Sequence, residues 1–370
     1  MNQDDLTISA HFSNIDDPRK YNIRHNLIDI ITIAICAIIC GAENWVNVEQ
    51  YGKSKYDWLK QFLQLPNAIP SHDTFGRVFS LLDPKQFNEA FTCWWQSIQT
   101  LVYKKQVAID GKTLRASHDK ASNKSAIHMV SAWAVQNGIV LGQIKTDEKS
   151  NEITAIPELI KQLELEGSIV TIDAMGCQKS IAKQIVDKQA DYIFSLKGNH
   201  SAFHDQIKMF FQDNTNSVAG FDLFQSTDGD HGRIEIRRYC TTDNIDWLQG
   251  KEQWAGLKTI TMVQRQRHIN DKTSTETSYY ISSIEMNAEK IARAIRDHWH
   301  IENSLHWVLD VSFDEDRCRV RKNHAPANMA TLRHIVLNLI KQEKSFKGSV
   351  KTKRLKAAWE NSYLLKILTS

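Results

Sequence analysis

Two acidic residues each follow an apolar run that is typical of a short strand. Val107–Ile109 leads into Asp110, and Ile169–Ile172 leads into Asp173. An Asp at a strand end often only turns the chain, but two such ends on neighbouring strands bring two carboxylates together. Paired carboxylates hold two divalent cations about 3.5 to 4 Å apart, and these activate a water or a 3′ hydroxyl in phosphodiester displacement. Hard oxygen ligands favour Mg²⁺ or Mn²⁺, so we predict two such ions here.

A third ligand must come from a helix that packs back on the strands, and we predict Glu302. Its neighbours in sequence are mostly apolar, and an unpaired charge among apolar groups is costly unless a metal neutralises it; these neighbours are Trp299, Ile301, Leu305 and Trp307. Four rival acids follow in a run that we expect to be more solvated, and we rank them lower: Asp310, Asp314, Glu315 and Asp316.

The same helix allows a zinc interpretation. His298, Glu302 and His306 are spaced four residues apart, so they share one helix face. The chain has no HExxH motif, and paired histidines on helices are more often satisfied by packing or by phosphate contacts. We therefore prefer the hypothesis of paired Mg²⁺ or Mn²⁺ ions to that of zinc.

Basic residues lie near the acids in sequence, although 46 Lys and Arg against 43 Asp and Glu leave a formal charge of only +3. Local clusters of this kind neutralise DNA phosphates. The segment Lys341–Lys356 holds seven basic residues and one acid, which fits DNA contact and a solvated helix face equally well. The predicted DNA contacts are Lys112, Arg115, Lys197, His231, Arg233, Arg237, His298, His306, Arg317, Arg319 and Arg321.

The elements that must position the acids follow in a recognisable order. Apolar residues recur at helical spacing up to about Gln99, which predicts an all-α N-terminal domain over 1–100. From Gln106 the pattern predicts three strands, a helix, a strand, a helix and a strand, with an Asn137-Gly138 hairpin turn. That is the order of a ribonuclease-H-like core, whose first and fourth strands are neighbours. We predict an α+β fold with a mixed sheet flanked by helices.

The rest of the chain predicts a β-rich insertion before the third acid. Residues 101–215 would form the first part of the core, 216–286 the insertion, 287–340 the helical part with Glu302, and 341–370 a basic tail. The insertion contains Trp247 and Trp254. Either could stack on a flipped base near the cut, but packing in a core fits a tryptophan better.

Composition indicates a reduced cytoplasmic protein. Six scattered cysteines without a CxxC pair argue against a disulfide framework. The apolar run Leu27–Cys40 carries Asp29 and is shorter than the roughly 20 residues that a membrane span needs. We expect a buried helix there, no membrane association, and no signal peptide because the first residues lack a positive region.

Several motifs together identify a family. The chain resembles the bacterial insertion-sequence DDE transposases of the H-repeat-associated, Rhs-linked type. The resemblance implies a catalytic triad at Asp110, Asp173 and Glu302, and it implies metal-dependent cleavage of element ends followed by strand transfer. The motifs that carry it are Pro70-Ser71-His72-Asp73-Thr74-Phe75-Gly76-Arg77-Val78-Phe79, Ile109-Asp110-Gly111-Lys112, Asp173-Ala174-Met175-Gly176-Cys177-Gln178, Leu196-Lys197-Gly198-Asn199, His231-Gly232-Arg233, Tyr279-Tyr280-Ile281-Ser282-Ser283 and His298-Trp299 through Asp310-Val311.

The resemblance has one departure. Related cut-and-paste transposases carry an Arg four residues before the Glu and a Lys seven after it, whereas this chain has His298 and Leu309. Other residues, such as His298, His306 or Arg317, must then position the DNA, and the choice between hairpin and other cleavage routes stays open.

The expected partners are double-stranded DNA, as terminal inverted repeats and target, and a second copy of the chain on DNA. The alternatives are an inactive relative that only binds DNA and a standalone nuclease.

Overall fold

A nine-stranded mixed sheet organises the protein, and helices pack around it in an α+β fold. This computed structural model describes residues 11–21, 23–98, 106–118, 124–146, 152–214, 219–230, 233–270 and 272–369. His231, one of the predicted DNA contacts, lies outside the described residues.

The first five strands have the predicted order. β1 pairs antiparallel with β2 and parallel with β4, and β4 pairs parallel with β5. Gly138 turns the chain between β2 and β3 at φ +67°, a conformation that glycine adopts at little cost. The prediction that the first and fourth strands are neighbours is therefore confirmed. The strands are β1 (Gln106–Thr113), β2 (His128–Ala134), β3 (Ile139–Lys145), β4 (Ile169–Ile172) and β5 (Asp191–Leu196).

The segment that we predicted as a separate β-rich insertion extends the same sheet. Its last strand, β9, pairs antiparallel with β5, so that Phe194 lies opposite Ile281. Without this pairing β5 would be an open edge with an apolar side chain on it. The four strands are β6 (Asp222–Asp230), β7 (Arg233–Thr242), β8 (Thr259–Ile269) and β9 (Lys272–Ser282), and each pairs antiparallel with the next.

The N-terminal region is helical, as predicted. Its first long helix, α1, is buried on almost every side, which confirms the expected buried helix over the apolar run. Asp29 is buried within it and accepts a hydrogen bond from the Leu65 amide at 2.9 Å. No helix among the described residues is long and apolar enough to cross a membrane. The helices here are α1 (Leu27–Ile39), α2 (Trp45–Ser54), α3 (Tyr56–Leu59), α4 (His72–Leu81) and α5 (Pro84–Ile98).

The remaining helices cover the sheet and close the fold. The helices α6 and α7 pack on β2, β3 and β5, whereas α9 packs against β1, β4, β6 and β7. The long helix α11 contacts β3 and also α1, α4 and α5, so it joins the N-terminal helices to the sheet. They are α6 (Glu152–Gln162), α7 (Lys179–Asp187), α8 (Ser201–Asp213), α9 (Ala288–His298), α10 (Trp307–Phe313), α11 (Ala325–Gln342), α12 (Val350–Trp359) and α13 (Asn361–Leu368).

The predicted basic tail is folded, and two of its cations are structural. Lys353 and Arg354 on α12 are buried. Lys353 Nζ donates to the Ile340 carbonyl at 3.1 Å, and Arg354 donates to the Ile38 carbonyl at 2.9 Å and to that of Ser312. These carbonyls lie at or near helix ends, where cations are favourable. The two residues therefore hold helices together and are not available to DNA.

Candidate active site

Parallel pairing of β1 and β4 brings the first two acids together. Ile109 lies opposite Ile172, so Asp110 and Asp173 follow at the same level of the sheet. Asp110 is inside β1, which continues to Thr113 because β2 goes on pairing with it. Asp173 ends β4, and its Oδ1 accepts hydrogen bonds from the amides of Met175 at 3.0 Å and Gly176 at 3.3 Å. This turn fixes the Asp173 carboxylate beside Asp110.

Glu302 faces this pair from a π-helical turn, Glu302–His306, between α9 and α10. The wider π turn is uncommon and occurs frequently at functional sites. It places His306 Nδ1 3.6 Å from Asp110 Oδ2 and 3.7 Å from Glu302 Oε2. Ligand atoms of these three residues all lie within 4.8 Å of one another. Asp173 lines the same cavity as Asp110 and Glu302, so the structure brings all three predicted acids to one place.

The surroundings of Glu302 are less apolar than we predicted. Ile301 and Leu305 are buried, but Trp299 and Trp307 are 52% and 59% exposed. The helix turns both tryptophans away from the core, which leaves the Glu302 side chain 51% exposed. Its carboxylate borders an open cavity of about 310 Å³. The cavity is also lined by Asp110, Asp173 and Lys197, and across from them by Arg265, Glu276 and Tyr280 of β8 and β9.

A fourth carboxylate, which the sequence did not reveal, joins the site. Glu152 begins α6, and its carboxylate oxygen lies within 4.8 Å of those of Asp110 and Asp173. His128 Nε2 contacts Glu152 Oε1 at 2.7 Å, and His128 Nδ1 contacts the Thr113 hydroxyl at 2.9 Å. Glu152 carries no local signal in the sequence, because only the fold brings it to the acids.

Gly111 makes room for this fourth carboxylate. A Cβ at this position would lie 2.1 Å from Glu152 Oε1 and 2.2 Å from His128 Nε2. Both distances are far below van der Waals contact, so any side chain here would displace the pair. The glycine after Asp110 therefore allows a close approach of side chains, a role that differs from a simple chain turn.

The acids strongly influence one another. Burial, followed by repulsion from Glu302 and Glu152, raises the pKa of Asp110 to about 8. Burial and Glu152 also raise the pKa of Asp173, whereas a hydrogen bond from His306 lowers the pKa of Glu302. Carboxylates that crowd in this way are stabilised in their charged form by a bound cation. The oxygen-rich donor set fits Mg²⁺ or Mn²⁺.

The zinc interpretation loses one of its ligands. Burial lowers the pKa of His298 to about 4, so its ring is neutral. Its Nδ1 contacts the Thr171 hydroxyl at 2.9 Å, and His298 belongs to neither group of potential metal ligands found among the described residues. His298 therefore supports the sheet instead of binding a metal with Glu302 and His306.

Four of the predicted DNA contacts have side chains that are already engaged within the protein. Lys112 is only 12% exposed and pairs with Glu315 at 3.0 Å and with Asp310. Arg237 borders the cavity but pairs with Glu235 and Asp228. His306 is buried between the acids. His298, neutral and bonded to Thr171, is likewise not a charged phosphate contact. These side chains are already partnered within the protein, so their charge is not free for phosphate.

The other predicted DNA contacts remain accessible. Lys197 lines the acid cavity and is exposed, and the side chains of Arg115 and Arg317 are exposed as well. Arg319 is exposed, whereas Arg321 is half-buried and its Nε donates to the Ala116 carbonyl at 2.9 Å. Arg233 is about half exposed and lies 3.8 Å from Glu235.

The expectation that the rival acids all lie in a solvated run was wrong. Glu315 is buried between Lys112 and Arg333, so it does not belong to a solvated run.

The preferred role of the two tryptophans, packing in the core, is confirmed. Trp254 is buried and stacks on Phe203, with ring centroids 5.7 Å apart. Trp247 stacks on Phe210 at 4.4 Å. Both tryptophans pack the protein's own core.

Comparison with known families decides the relationship. Residues 9–95 match the model of the DDE_Tnp_1-associated region, and residues 104–339 match that of the transposase DDE domain. The chain belongs to the DDE transposase family. The "H repeat-associated putative transposase YhhI" of Escherichia coli K12 is 42% identical over 98% of this chain and 97% of its own length. The "Putative transposase YncI" of E. coli O157:H7 is 42% identical over 97% and 94%.

These matches confirm the resemblance to the H-repeat-associated transposases that the motifs indicated. A solved structure, the cryo-EM piggyBac transposase synaptic complex with hairpin DNA, covers 98% of this chain and 77% of its own. Its TM-score is 0.43 at 11% identity, a likeness too weak to bear on function.

Proposed function

We propose that this protein is an active transposase that cuts the ends of its insertion element and joins them to target DNA. The observation that supports this most directly is the convergence of Asp110, Asp173 and Glu302 from β1, β4 and the π turn onto one cavity. The first five strands have the order of a ribonuclease-H-like core, on which we place the reaction. Its substrates would be the element's terminal repeats and target DNA at the nucleoid.

In this proposal the three acids share one task. Asp110, Asp173 and Glu302 would hold the Mg²⁺ or Mn²⁺ ions. When bound, the ions lower the pKa of the attacking water or hydroxyl and stabilise the leaving oxygen. The chain itself orients the ligands: the Met175 and Gly176 amides hold Asp173, and His306 lies between Asp110 and Glu302.

The two steps use the same site. Hydrolysis forms a bond between phosphorus and the water oxygen and breaks the bond to the 3′ oxygen, leaving a 3′ hydroxyl. In strand transfer that hydroxyl attacks a target phosphodiester, and a target 3′ hydroxyl leaves. Lys197 is exposed beside Asp173 and is positioned to accept a phosphate at the cavity mouth. Transposition joins both ends of the element, so we propose that two copies of the chain form a dimer on DNA.

The test is cleavage and strand transfer on DNA that carries the element's own ends, with Mg²⁺ or Mn²⁺. We expect the wild type to cut and join, and Asp110→Asn, Asp173→Asn and Glu302→Gln to bind the DNA without doing either. Asp187→Asn removes an exposed acid on α7 and serves as the matched control, which should stay active. A wild type that binds the ends but never cuts would instead indicate the inactive, DNA-binding alternative.

The same end DNA tests the dimer. We expect mass photometry to show two chains with two end duplexes. Complexes with one chain per duplex throughout would contradict the paired assembly, while leaving the cleavage test unaffected.

A further inference from the structure

A second concave surface lies outside the acid site, between the N-terminal helices and the loop that follows α10. We call it the arginine groove. Its volume is about 1270 Å³, much larger than the acid cavity. One wall is formed by the first turns of α2 and α4, and the other by residues 314–325. Six basic and three acidic side chains line it, so it carries an excess of positive charge.

Three of the cations in the arginine groove are not neutralised by the protein. Arg77, Arg319 and Lys322 are exposed, and within the part of the chain that the structure describes none of them forms an ion pair. Lys112 and Arg237 differ sharply, since each is enclosed between two acids. Cations that the fold leaves unpaired in a concave surface are suited to an external anion.

Three helices begin at the arginine groove and add to its positive potential. The first-turn amides of α2 and α4 are partly capped by Asn44 and Ser71, which accept hydrogen bonds from Asn47 and Thr74. The helix α11, 18 residues long, begins beside Lys322 and has no side-chain cap. The Ala325 amide donates to the Lys322 carbonyl at 2.9 Å and Pro326 has no N–H, so the contribution of these helix starts is the positive end of their dipoles, which favours an anion.

The two walls are held rigidly and lie near the catalytic strand. Asn328 of α11 donates to the carbonyls of Phe79 and Leu82 at 2.8 Å, which fixes α11 to the end of α4. Arg115 Nε lies 3.4 Å from Asp316, which is within the second wall. Only five residues separate Asp110 from Arg115, so their Cα atoms are at most about 18 Å apart. That span corresponds to roughly five base pairs of B-DNA at about 3.4 Å each.

We propose that the arginine groove binds the sugar–phosphate backbone of the duplex whose end enters the acid cavity. The inference rests on the proposed function and assigns a DNA-holding role to the N-terminal helices as well as to residues 314–325. The occupant follows from charge complementarity: unpaired cations spread along an open groove match a row of phosphates. Contacts of this kind set the position of the duplex without reading its sequence.

The test is the salt dependence of binding to a fluorescent mixed-sequence duplex of about 30 base pairs, in EDTA so that no cutting occurs, from about 50 to 200 mM KCl. The variant combines Arg77→Ala, Arg319→Ala and Lys322→Ala. We expect weaker binding and a slope of log K against log salt that is smaller in magnitude by about 3, close to one per lost contact. A charge-keeping variant, Arg77→Lys with Arg319→Lys and Lys322→Arg, should retain the wild-type slope.

The matched control removes three exposed lysines from the sheet-covering helices: Lys161→Ala, Lys183→Ala and Lys290→Ala. It should bind with the wild-type slope. If the groove variant keeps that slope while the wild type cuts element ends, the groove proposal is wrong and the proposed function stands. If the groove variant loses binding but the wild type never cuts, the groove stands and the proposed function fails. A wild type that binds no duplex overturns the groove.

Discussion

Gly111 controls how closely the fourth carboxylate approaches the catalytic strand. In Gly111→Ala the new methyl would displace Glu152 and His128, whose polar ends lie 2.1 and 2.2 Å from it. We expect the Mn²⁺ affinity, measured by calorimetry, to fall about 10- to 100-fold, as for other residues that support metal ligands. Gly198→Ala is the control, because a Cβ there meets nothing within 4 Å. Equal affinities for both variants would contradict this role.

Glu152 itself should contribute to metal binding. We expect Glu152→Gln to weaken Mn²⁺ binding about 10- to 100-fold, and His128→Gln to have a smaller effect in the same direction. His128 acts on the site through Glu152, so the double variant should be no weaker than Glu152→Gln alone. Glu158→Gln removes an exposed acid from the same helix and should bind like the wild type. Additive losses in the double variant would show that His128 acts independently.

Which site residues can be found from sequence depends on how local their signal is. Asp110 and Asp173 follow apolar strands, and Glu302 interrupts an apolar helix pattern, so the sequence around each one marks it. Glu152 and the buried position of Lys112 depend on contacts between distant segments. For the same reason, charge in sequence does not reveal that Lys112 and Arg237 are paired with acids, because the fold supplies those partners.

At the scale of elements, a short chain of hydrogen bonds holds α9, which leads into the Glu302 turn, on the strands that carry the aspartates. Gln106 Nε2 on β1 donates to the Ala294 carbonyl at 2.7 Å and to the Thr171 hydroxyl at 3.1 Å. The Thr171 hydroxyl also contacts His298 Nδ1 at 2.9 Å. Two strands and the helix are thus joined through one buried hydroxyl.

Removing that hydroxyl should loosen the helix. Thr171→Val keeps the shape but removes the hydroxyl that His298 Nδ1 contacts and one of the two acceptors of Gln106 Nε2, which costs about 1 to 3 kcal/mol. We expect this loss in urea unfolding, together with reduced cleavage because Glu302 is held less precisely. Thr369→Val removes an exposed hydroxyl, bonded only within its own helix, and should change stability little. An unchanged free energy of unfolding in Thr171→Val would contradict the proposed support.

Elements with strong local periodicity were predicted correctly, and those defined by distant pairing were not. The hairpin at Asn137-Gly138 and the order of the first five strands follow from turn chemistry and strand patterns. The pairing of β9 with β5 joins segments more than eighty residues apart, so the extension of the sheet has no local signature. The π turn at Glu302–His306 has an ordinary helical pattern in sequence, and its extra width depends on packing.

At the scale of the whole molecule, acid stability should depend on His334, which is buried on α11. Burial lowers its pKa from 6.5 to about 4. Between these values the unfolded chain binds a proton that the folded protein does not, so folding weakens as the pH falls, by about 1.4 kcal/mol per pH unit. Above pH 6.5 both states are neutral at this residue, and the contribution vanishes.

The variant His334→Gln keeps a polar side chain but cannot titrate. We expect the stability difference between wild type and variant to shift by about 3 kcal/mol against the wild type between pH 6.5 and 4. Urea unfolding at several pH values measures this, and subtraction cancels the other titrating groups. His268→Gln, at a half-buried strand position, is the control and should track the wild type. Parallel curves for wild type and His334→Gln would contradict the assignment.

The hydrogen bond from Arg354 to the Ile38 carbonyl also affects how the chain folds during its synthesis. It joins residues 316 positions apart, and at about 5 to 20 residues per second the ribosome needs roughly 15 to 60 s to synthesise that interval. During this time α1, apolar on nearly every side, lacks the α11 and α12 surfaces that bury it. Each nascent chain therefore exposes apolar surface of α1 until α11 and α12 have been synthesised, so we expect the yield of folded protein to depend on chaperone supply.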